Sequence, residues 1–335
     1  MKIGKQTDCT ICCNNKYREK LKDGGEGLLT LFTPSYNRAR FLPRLAECVS
    51  NQTNKDYVWI IVNDGSKDNT DEVVHTLLNE EQLPIKFISK TNGGKHSAFK
   101  EALAQCETTY FQCMDDDDIY DAKAVDFFVK KWKEIKEKGL IQVGAIRTLA
   151  RKPDGSYATN FPINDDNYGK EYITTTLENN YVHKRIQENW TCYDTEKLKS
   201  VDLFPTNYWM VDQHKFFNEA IWQGRFARKY ACLYVNLAFR EYRDDDEVSL
   251  MRQNKSRQYY VDSFINSKII LDEQYDYISR SFIGLLKRCL SINWYRAFLG
   301  IKLSNLLNHT DNRAIKIWYH IVYPTSWMHK WYFYR

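Results

Sequence analysis

At 335 residues, with 43% hydrophobic and 27% charged positions, the chain has the make-up of a globular protein large enough for one big domain or a domain plus an appendage. The net charge of +5 is not spread evenly: Leu286 to Arg335 holds eight Lys/Arg against Asp311 alone, a net +7, so the remainder is −2 and the basic character belongs to the C-terminus. No apolar run is long enough to span a bilayer, and the N-terminus lacks the apolar stretch of a signal peptide, so a cytoplasmic location is expected.

Residues 1–27 are polar and end in Asp23-Gly24-Gly25-Glu26-Gly27, which reads as a loosely packed lead-in. Cys9-x-x-Cys12-Cys13 has half of a zinc spacing but no second pair, whereas a closed site needs four ligands. The other Cys residues sit mostly in apolar segments and read as reduced and buried.

From Leu28 the pattern is strand, turn, helix, four times over. Leu28–Phe32 ends in Thr33-Pro34-Ser35-Tyr36-Asn37, with helical spacing from Phe41 to Asn51. Tyr57–Val62 ends in Asn63-Asp64-Gly65-Ser66, with a helix from about Asp68 to Asn79. Ile85–Ile88 ends in Thr91-Asn92-Gly93-Gly94-Lys95, with a helix over Ala98–Cys106. Tyr110–Met114 ends in four carboxylates, Asp115 to Asp118, before an amphipathic helix over Ala122–Lys138. Apolar strands alternating with amphipathic helices predict a mostly parallel sheet covered on both faces. Ligands bind such sheets outside the carboxyl ends of the strands. If the strands are parallel, Tyr36, Asp64, Lys95 and the Asp run share one edge. Turn chemistry alone accounts for Gly65 and Gly93, less well for four adjacent carboxylates. Those carboxylates suit either a hard cation carrying phosphate oxygens or an acidic flank for the following helix. No dinucleotide or P-loop glycine fingerprint is present.

Beyond Leu140–Leu149, expected as a strand or strand pair, Arg151–Asn180 is loop-rich. Strands are expected near Trp190–Tyr193 and over Leu233–Phe239. Asp212 falls where a helix is expected to open, either as a carboxylate facing a cleft or as its N-cap. Arg240–Glu247 reads as a solvated loop. The tail from Leu286 mixes basic residues with Trp294, Trp318, Trp327 and Trp331, as helices at a membrane surface do; helices packed on the preceding α/β part are the alternative. No nucleic-acid motif accompanies the tail, so no nucleic-acid partner is expected.

The four turns, in this order and spacing, closely resemble family 2 glycosyltransferases of the GT-A fold. The resemblance is strong over Leu28–Lys138 and weaker to about Tyr242. It implies an α/β, Rossmann-like catalytic domain over 28–245, with a nucleotide-binding half (28–138) and an acceptor half (139–245), followed by a helical extension over 246–335. It implies a nucleotide-sugar donor, usually a UDP-sugar, and inversion at the anomeric carbon. By that match Pro34 and Tyr36 border the nucleobase, Asp64 bonds it, and Lys95 lies near the diphosphate. Asp115 to Asp117 form the DxD motif, with Asp115 toward the ribose, Asp116 between, and Asp117 on a Mn²⁺ or Mg²⁺ ion. The run of four leaves the register open by one residue. Asp212 takes the general-base position, in a Met-Val-Asp context that departs from the usual Glu-Asp pair. A Gln-x-x-Arg-Trp motif of processive members is absent, so single sugar addition is expected.

The expected function is metal-dependent transfer of one sugar to a glycan or lipid-linked acceptor in surface polysaccharide synthesis, at the cytoplasmic membrane face. Two alternatives stand beside it. A sugar-phosphate nucleotidyltransferase would usually open with a Gly-rich loop, which Thr33–Asn37 lacks. A non-catalytic glycan-binding protein on a transferase fold would not need the carboxylates and Lys95.

Overall fold

The computed structural model describes residues 10–243 and 256–328. Cys9, the acidic half of the Arg240–Glu247 loop, and Lys330 to Arg335 with Trp331 lie outside the described residues. The elements begin with β1 (Thr10–Cys13), α1 (Asn15–Lys20), β2 (Leu29–Ser35), α2 (Leu42–Ser50), β3 (Tyr57–Asn63) and α3 (Thr70–Asn79). They continue with β4 (Ile85–Ser89), α4 (Lys95–Ala104), β5 (Tyr110–Cys113), β6 (Ile119–Tyr120), α5 (Ala124–Glu137) and β7 (Val143–Arg151). Then come β8 (Glu171–Thr174), β9 (Asn189–Asp194), α6 (Thr195–Lys199), α7 (Glu219–Ala227) and β10 (Ala231–Glu241). Four helices close the chain: α8 (Arg257–Ile278), α9 (Phe282–Phe298), α10 (Leu303–Asn308) and α11 (Arg313–Val322).

The strands form one sheet in the order β1-β4-β3-β2-β5-β9-β7-β10-β6, with β8 also on β10. Its centre, β4-β3-β2-β5, is parallel. β9 runs antiparallel between β5 and β7, and β7 and β10 are parallel again. The apolar runs explain the centre. Every residue of β3 is buried, as a strand covered on both faces requires. On one face Leu29, Leu31, Trp59 and Ile61 meet Leu45 and Val49 of α2, Val74 of α3 and Phe128 of α5. On the other, Phe32 and Phe111 stack at 5.6 Å under the edge of Phe99 from α4.

Residues 10–27 are more structured than their polarity suggests. β1 adds an antiparallel edge strand to β4, and Tyr17 of α1 is buried. An edge strand needs no continuous apolar run, so its sequence reads as loop.

Backbone contacts divide the chain into two units. The first, residues 10–174, 185–200 and 230–243 as described, holds the sheet. The second takes in 175–184 and 201–229 as well as the helices of 256–328. Its core is built by Phe264, Ile265, Leu271, Leu285, Cys289, Ile292, Ile315 and Tyr319. α8 leaves helical geometry at Gln274, whose side chain donates to Ala220 O at 2.9 Å and accepts from Tyr181 Oη at 3.0 Å. Gly224 of α7 leaves room for it: a Cβ there would stand 2.3 Å from Gln274 Nε2.

Candidate functional site

The carboxyl ends of the four parallel strands bring the four turns together. At the end of β2, Pro34 and Ser35 lead to Tyr36, which is 45% exposed, and to Asn37 in the left-handed region at φ 55°. Asn tolerates that conformation better than most residues. Its amide accepts from Lys67 N at 2.7 Å, and its own N–H donates to Ser66 Oγ at 2.9 Å, which ties the first turn to the second. Gly65, at φ +76°, permits the next approach, since a Cβ there would lie 2.7 Å from Asn92 N.

Asp64 is buried and holds the second turn to the third. Its carboxylate accepts from Lys90 Nζ at 2.7 Å, Gly93 N at 3.0 Å and Gly94 N at 2.6 Å. Gly94, at φ +84°, precedes Lys95, the first residue of α4. Lys95 Nζ then meets Asp115 Oδ1 at 2.8 Å, joining the third turn to the fourth.

The Asp run alternates. Asp116 and Asp118 are buried, 2% and 1% exposed, whereas the side chains of Asp115 and Asp117 are 27% and 21% exposed. The inward pair is held by the protein. Asp116 accepts from Ser35 Oγ at 2.9 Å and from Arg38 Nη1 at 2.9 Å. Asp118 accepts from Arg240 Nε at 2.5 Å and Arg243 N at 3.0 Å. Burial pushes Asp116 up to about 6 against the pull of Arg38. Burial likewise raises Asp118 to about 7, with Arg240 opposing and Asp115 adding to the rise. The outward Asp115 goes the other way: burial would raise it, but Lys95 and then Arg240 outweigh that and hold it down at about 2. Asp117 pairs with Arg38 Nη1 at 2.7 Å, and its carbonyl accepts from Arg44 Nη2. Beneath the run, Trp190 Nε1 donates to Cys113 O at 2.7 Å and packs on Tyr120 at 4.7 Å.

So Pro34, Tyr36, Asp64, Lys95 and Asp115 to Asp117 fall in one linked set of turns. Sequence reasoning missed the cations that organise them: Arg38, Lys90 and Arg240. Arg38 carried a readable signal, a basic residue directly after a strand-end turn. Lys90 and Arg240 did not, since their partners lie 26 and 122 residues away.

Among the described residues no group of three or more His, Cys, Asp or Glu is poised to hold a metal ion. Cys12 and Cys13 are unbonded thiols. A Mg²⁺ or Mn²⁺ ion bound with a diphosphate needs fewer protein ligands, usually one or two carboxylates. The partly exposed oxygens of Asp115 and Asp117 fit that donor set, with Arg38 contending for Asp117.

Asp212 belongs to the second unit. It is exposed, in a single helical turn over Val211–Gln213 rather than at a helix start. The helix expected to open near Asp212 begins only at Glu219, with Asn218 as its N-cap. Met210 precedes the turn at φ 65°, a strained conformation for a bulky residue. Tyr208 Oη on Asp272 at 2.9 Å and Trp209 stacked on His309 at 4.3 Å fasten the approach.

Comparison with known proteins matches residues 30–190 to the model of glycosyl transferase family 2. Residues 30–190 thus form a domain of the glycosyl transferase family 2 kind. It thus carries a glycosyltransferase domain. It is 33% identical over 177 residues to a chondroitin synthase of Pasteurella multocida strain Pm70, and equally to a hyaluronan synthase of Pasteurella multocida. Each match covers 52% of this chain but only 18% of the synthase, so the chain spans less than a fifth of these relatives. The crystal structure of S. aureus TarS 1–349 in complex with UDP-GlcNAc superposes with a TM-score of 0.55 over 89% of this chain and 91% of that one, at 15% identity. That likeness is one of fold: a mostly parallel central sheet flanked by helices, of the GT-A type.

Proposed function

We propose that this family 2 glycosyltransferase moves a single sugar, with inversion, from a UDP-sugar to a glycan or lipid-linked acceptor in surface polysaccharide synthesis. The observation that carries the reading is the alternation in the Asp run: two carboxylates turned outward beside Lys95 and Arg38 at the ends of four parallel strands. UDP is favoured because TarS, similar in fold, was solved with UDP-GlcNAc. The synthases suggest a polysaccharide product. The basic, aromatic C-terminal segment suggests work at a membrane surface.

In this reading Tyr36, nearly half exposed, stacks on the uracil, with Pro34 beside it. Asp64 fixes the loop that receives the base. Asp115, held ionised, meets the ribose. Asp117 would hold a Mn²⁺ or Mg²⁺ ion, which when bound would supply positive charge toward the leaving diphosphate. Lys95, at the start of α4, adds a positive charge where that leaving group develops its own. Asp212 removes the acceptor hydroxyl's proton as its oxygen attacks the anomeric carbon. The C–O bond to the diphosphate breaks as the new one forms, so the configuration inverts.

The test is a panel of nucleotide sugars in thermal shift, with and without Mn²⁺, on the wild type and on Asp117→Asn. A UDP-sugar that raises the melting point only with Mn²⁺, and only in the wild type, supports the reading. A metal-independent shift that survives in the variant removes Asp117 from the role. Pyrophosphate release from UTP and a sugar phosphate would instead point to nucleotidyl transfer.

A further inference from the structure

The C-terminal helices carry an apolar surface that the transferase site does not use. α11 packs inward through Ile315, Tyr319 and Val322, all 2% exposed or less. At about 100° per residue, Ile317 and Ile321 fall on the opposite side. They are 61% and 57% exposed. The helix is therefore apolar on two opposed faces, and packing within its own unit explains only one. The outer face extends beyond the helix. Trp318 meets the ring of Phe282 at 5.4 Å, and Phe282 and Ile283, in the first turn of α9, are 67% and 63% exposed. Trp327, just past α11, is 65% exposed.

Charge selects what covers this face. Arg313, Lys316 and His320 border Ile317 and Ile321 on α11, and Lys287 lies one turn past Ile283 on α9. The segment from Leu286 to Arg335 has a net charge of +7. A second copy of the chain would bring that same charge to the same face, at a repulsive cost. An anionic bilayer satisfies both properties, taking Ile, Phe and Trp into the headgroup–acyl boundary and Lys and Arg against lipid phosphates. We propose that the outer face of α11, with the first turn of α9, is a docking surface for an anionic lipid bilayer. The assignment deepens the lipid-linked acceptor reading above, but binding to vesicles can be measured whether or not that reading holds. Among the described residues no helix is long and apolar enough to cross a membrane, so the contact is one of lying on the surface.

The experiment is flotation of the full chain with phosphatidylcholine vesicles, against vesicles in which about a third of the lipid is phosphatidylglycerol. Two variants are compared, Ile317→Ser/Ile321→Ser and Lys287→Glu/Lys316→Glu. The wild type is expected to float with the anionic vesicles only, and less so as salt rises. Each variant should lose roughly tenfold or more in partition while keeping the wild-type melting point, because Lys287, Ile317 and Ile321 are exposed and Lys316 is partly so. The proposal is overturned if the wild type stays with the soluble fraction, or if the isoleucine variant floats as well as the wild type. It is also overturned if the wild type is a dimer by light scattering that Ile317→Ser/Ile321→Ser dissociates, since the face then belongs to a second copy. Slow UDP-sugar hydrolysis, assayed in parallel without lipid, reports on the transferase reading separately: its absence with flotation intact would sink that reading and leave the docking surface standing.

Discussion

Arg38 Nη1 lies 2.7 Å from Asp117 and 2.9 Å from Asp116, so one guanidinium neutralises an outward carboxylate and a buried one together. A divalent ion at Asp117 has to share or displace that contact. Arg38→Ala should therefore raise the affinity for Mn²⁺ measured by direct titration of the nucleotide-free protein. It should also destabilise the fold by about 1–3 kcal/mol, because Asp116 stays buried with a single partner. Unchanged Mn²⁺ affinity would mean that the ion does not use the oxygen that Arg38 occupies.

The outward carboxylates should be separable from the inward ones. Asp115→Asn and Asp117→Asn are expected to lower transfer by about 10²-fold or more with little change in melting point. Asp116→Asn and Asp118→Asn should instead show mainly a stability change, read by urea unfolding. Equal loss of transfer in all four, with no stability difference, would contradict the alternation as a division of roles.

Asp64 and Lys90 form a buried pair at 2.7 Å. Asp64→Ala leaves the Lys90 ammonium buried without its counter-charge, and the glycine N–H groups of the third turn without an acceptor. A loss of about 3–5 kcal/mol is expected. Lys90→Met/Asp64→Leu should recover part of that stability but not UDP binding. If the single variant is as stable as the wild type, the pair is not what holds the two turns together.

His214 offers a pH test in the second unit. It lies 3.0 Å from Asn266 Oδ1 and packs on Phe217 at 4.0 Å, with Asp262 4.0 Å away. Burial pulls its pKa below the usual histidine range, against the pull of Asp262. The folded state thus prefers the neutral ring. The stability this residue contributes is present above the ordinary histidine pKa of about 6.5 and is lost as the pH falls through the lower folded value. The wild-type melting point should drop between about pH 7.5 and pH 5.5. His214→Gln should drop less, and a parallel drop in both would exclude the histidine.

The parts of this protein that were readable from its sequence are the ones written locally. Tyr57–Val62 and Ile85–Ile88 announce buried strands because burial on both faces demands an unbroken apolar run. The turns at Tyr36, Asp64 and Lys95 follow from where those runs stop. The register of the Asp run was not readable, since four identical residues carry no period. Only the exposure of Asp115 and Asp117 separates them from their neighbours. Thr10–Cys13 was missed because an edge strand with one partner need not be apolar. The helix after Asp212 starts later than its sequence suggests because Phe216 and Phe217 extend the apolar pattern ahead of it, while the cap is Asn218. The cations were missed for a different reason: what Lys90 and Arg240 neutralise is decided by the sheet, not by their neighbours in the chain.

The homopolymeric acid run has an unusual genetic consequence. Removing any one of the four aspartates leaves the same shortened protein, so four distinct codon losses collapse into a single variant. In that variant three carboxylates are left for four places that alternate between partly exposed and buried in the turn between β5 and β6, so the contacts to Lys95, Arg38 and Arg240 cannot all be kept. A replication slip at this spot would therefore change which acids stay partly exposed and which brace the interior, although the composition of the motif would barely change.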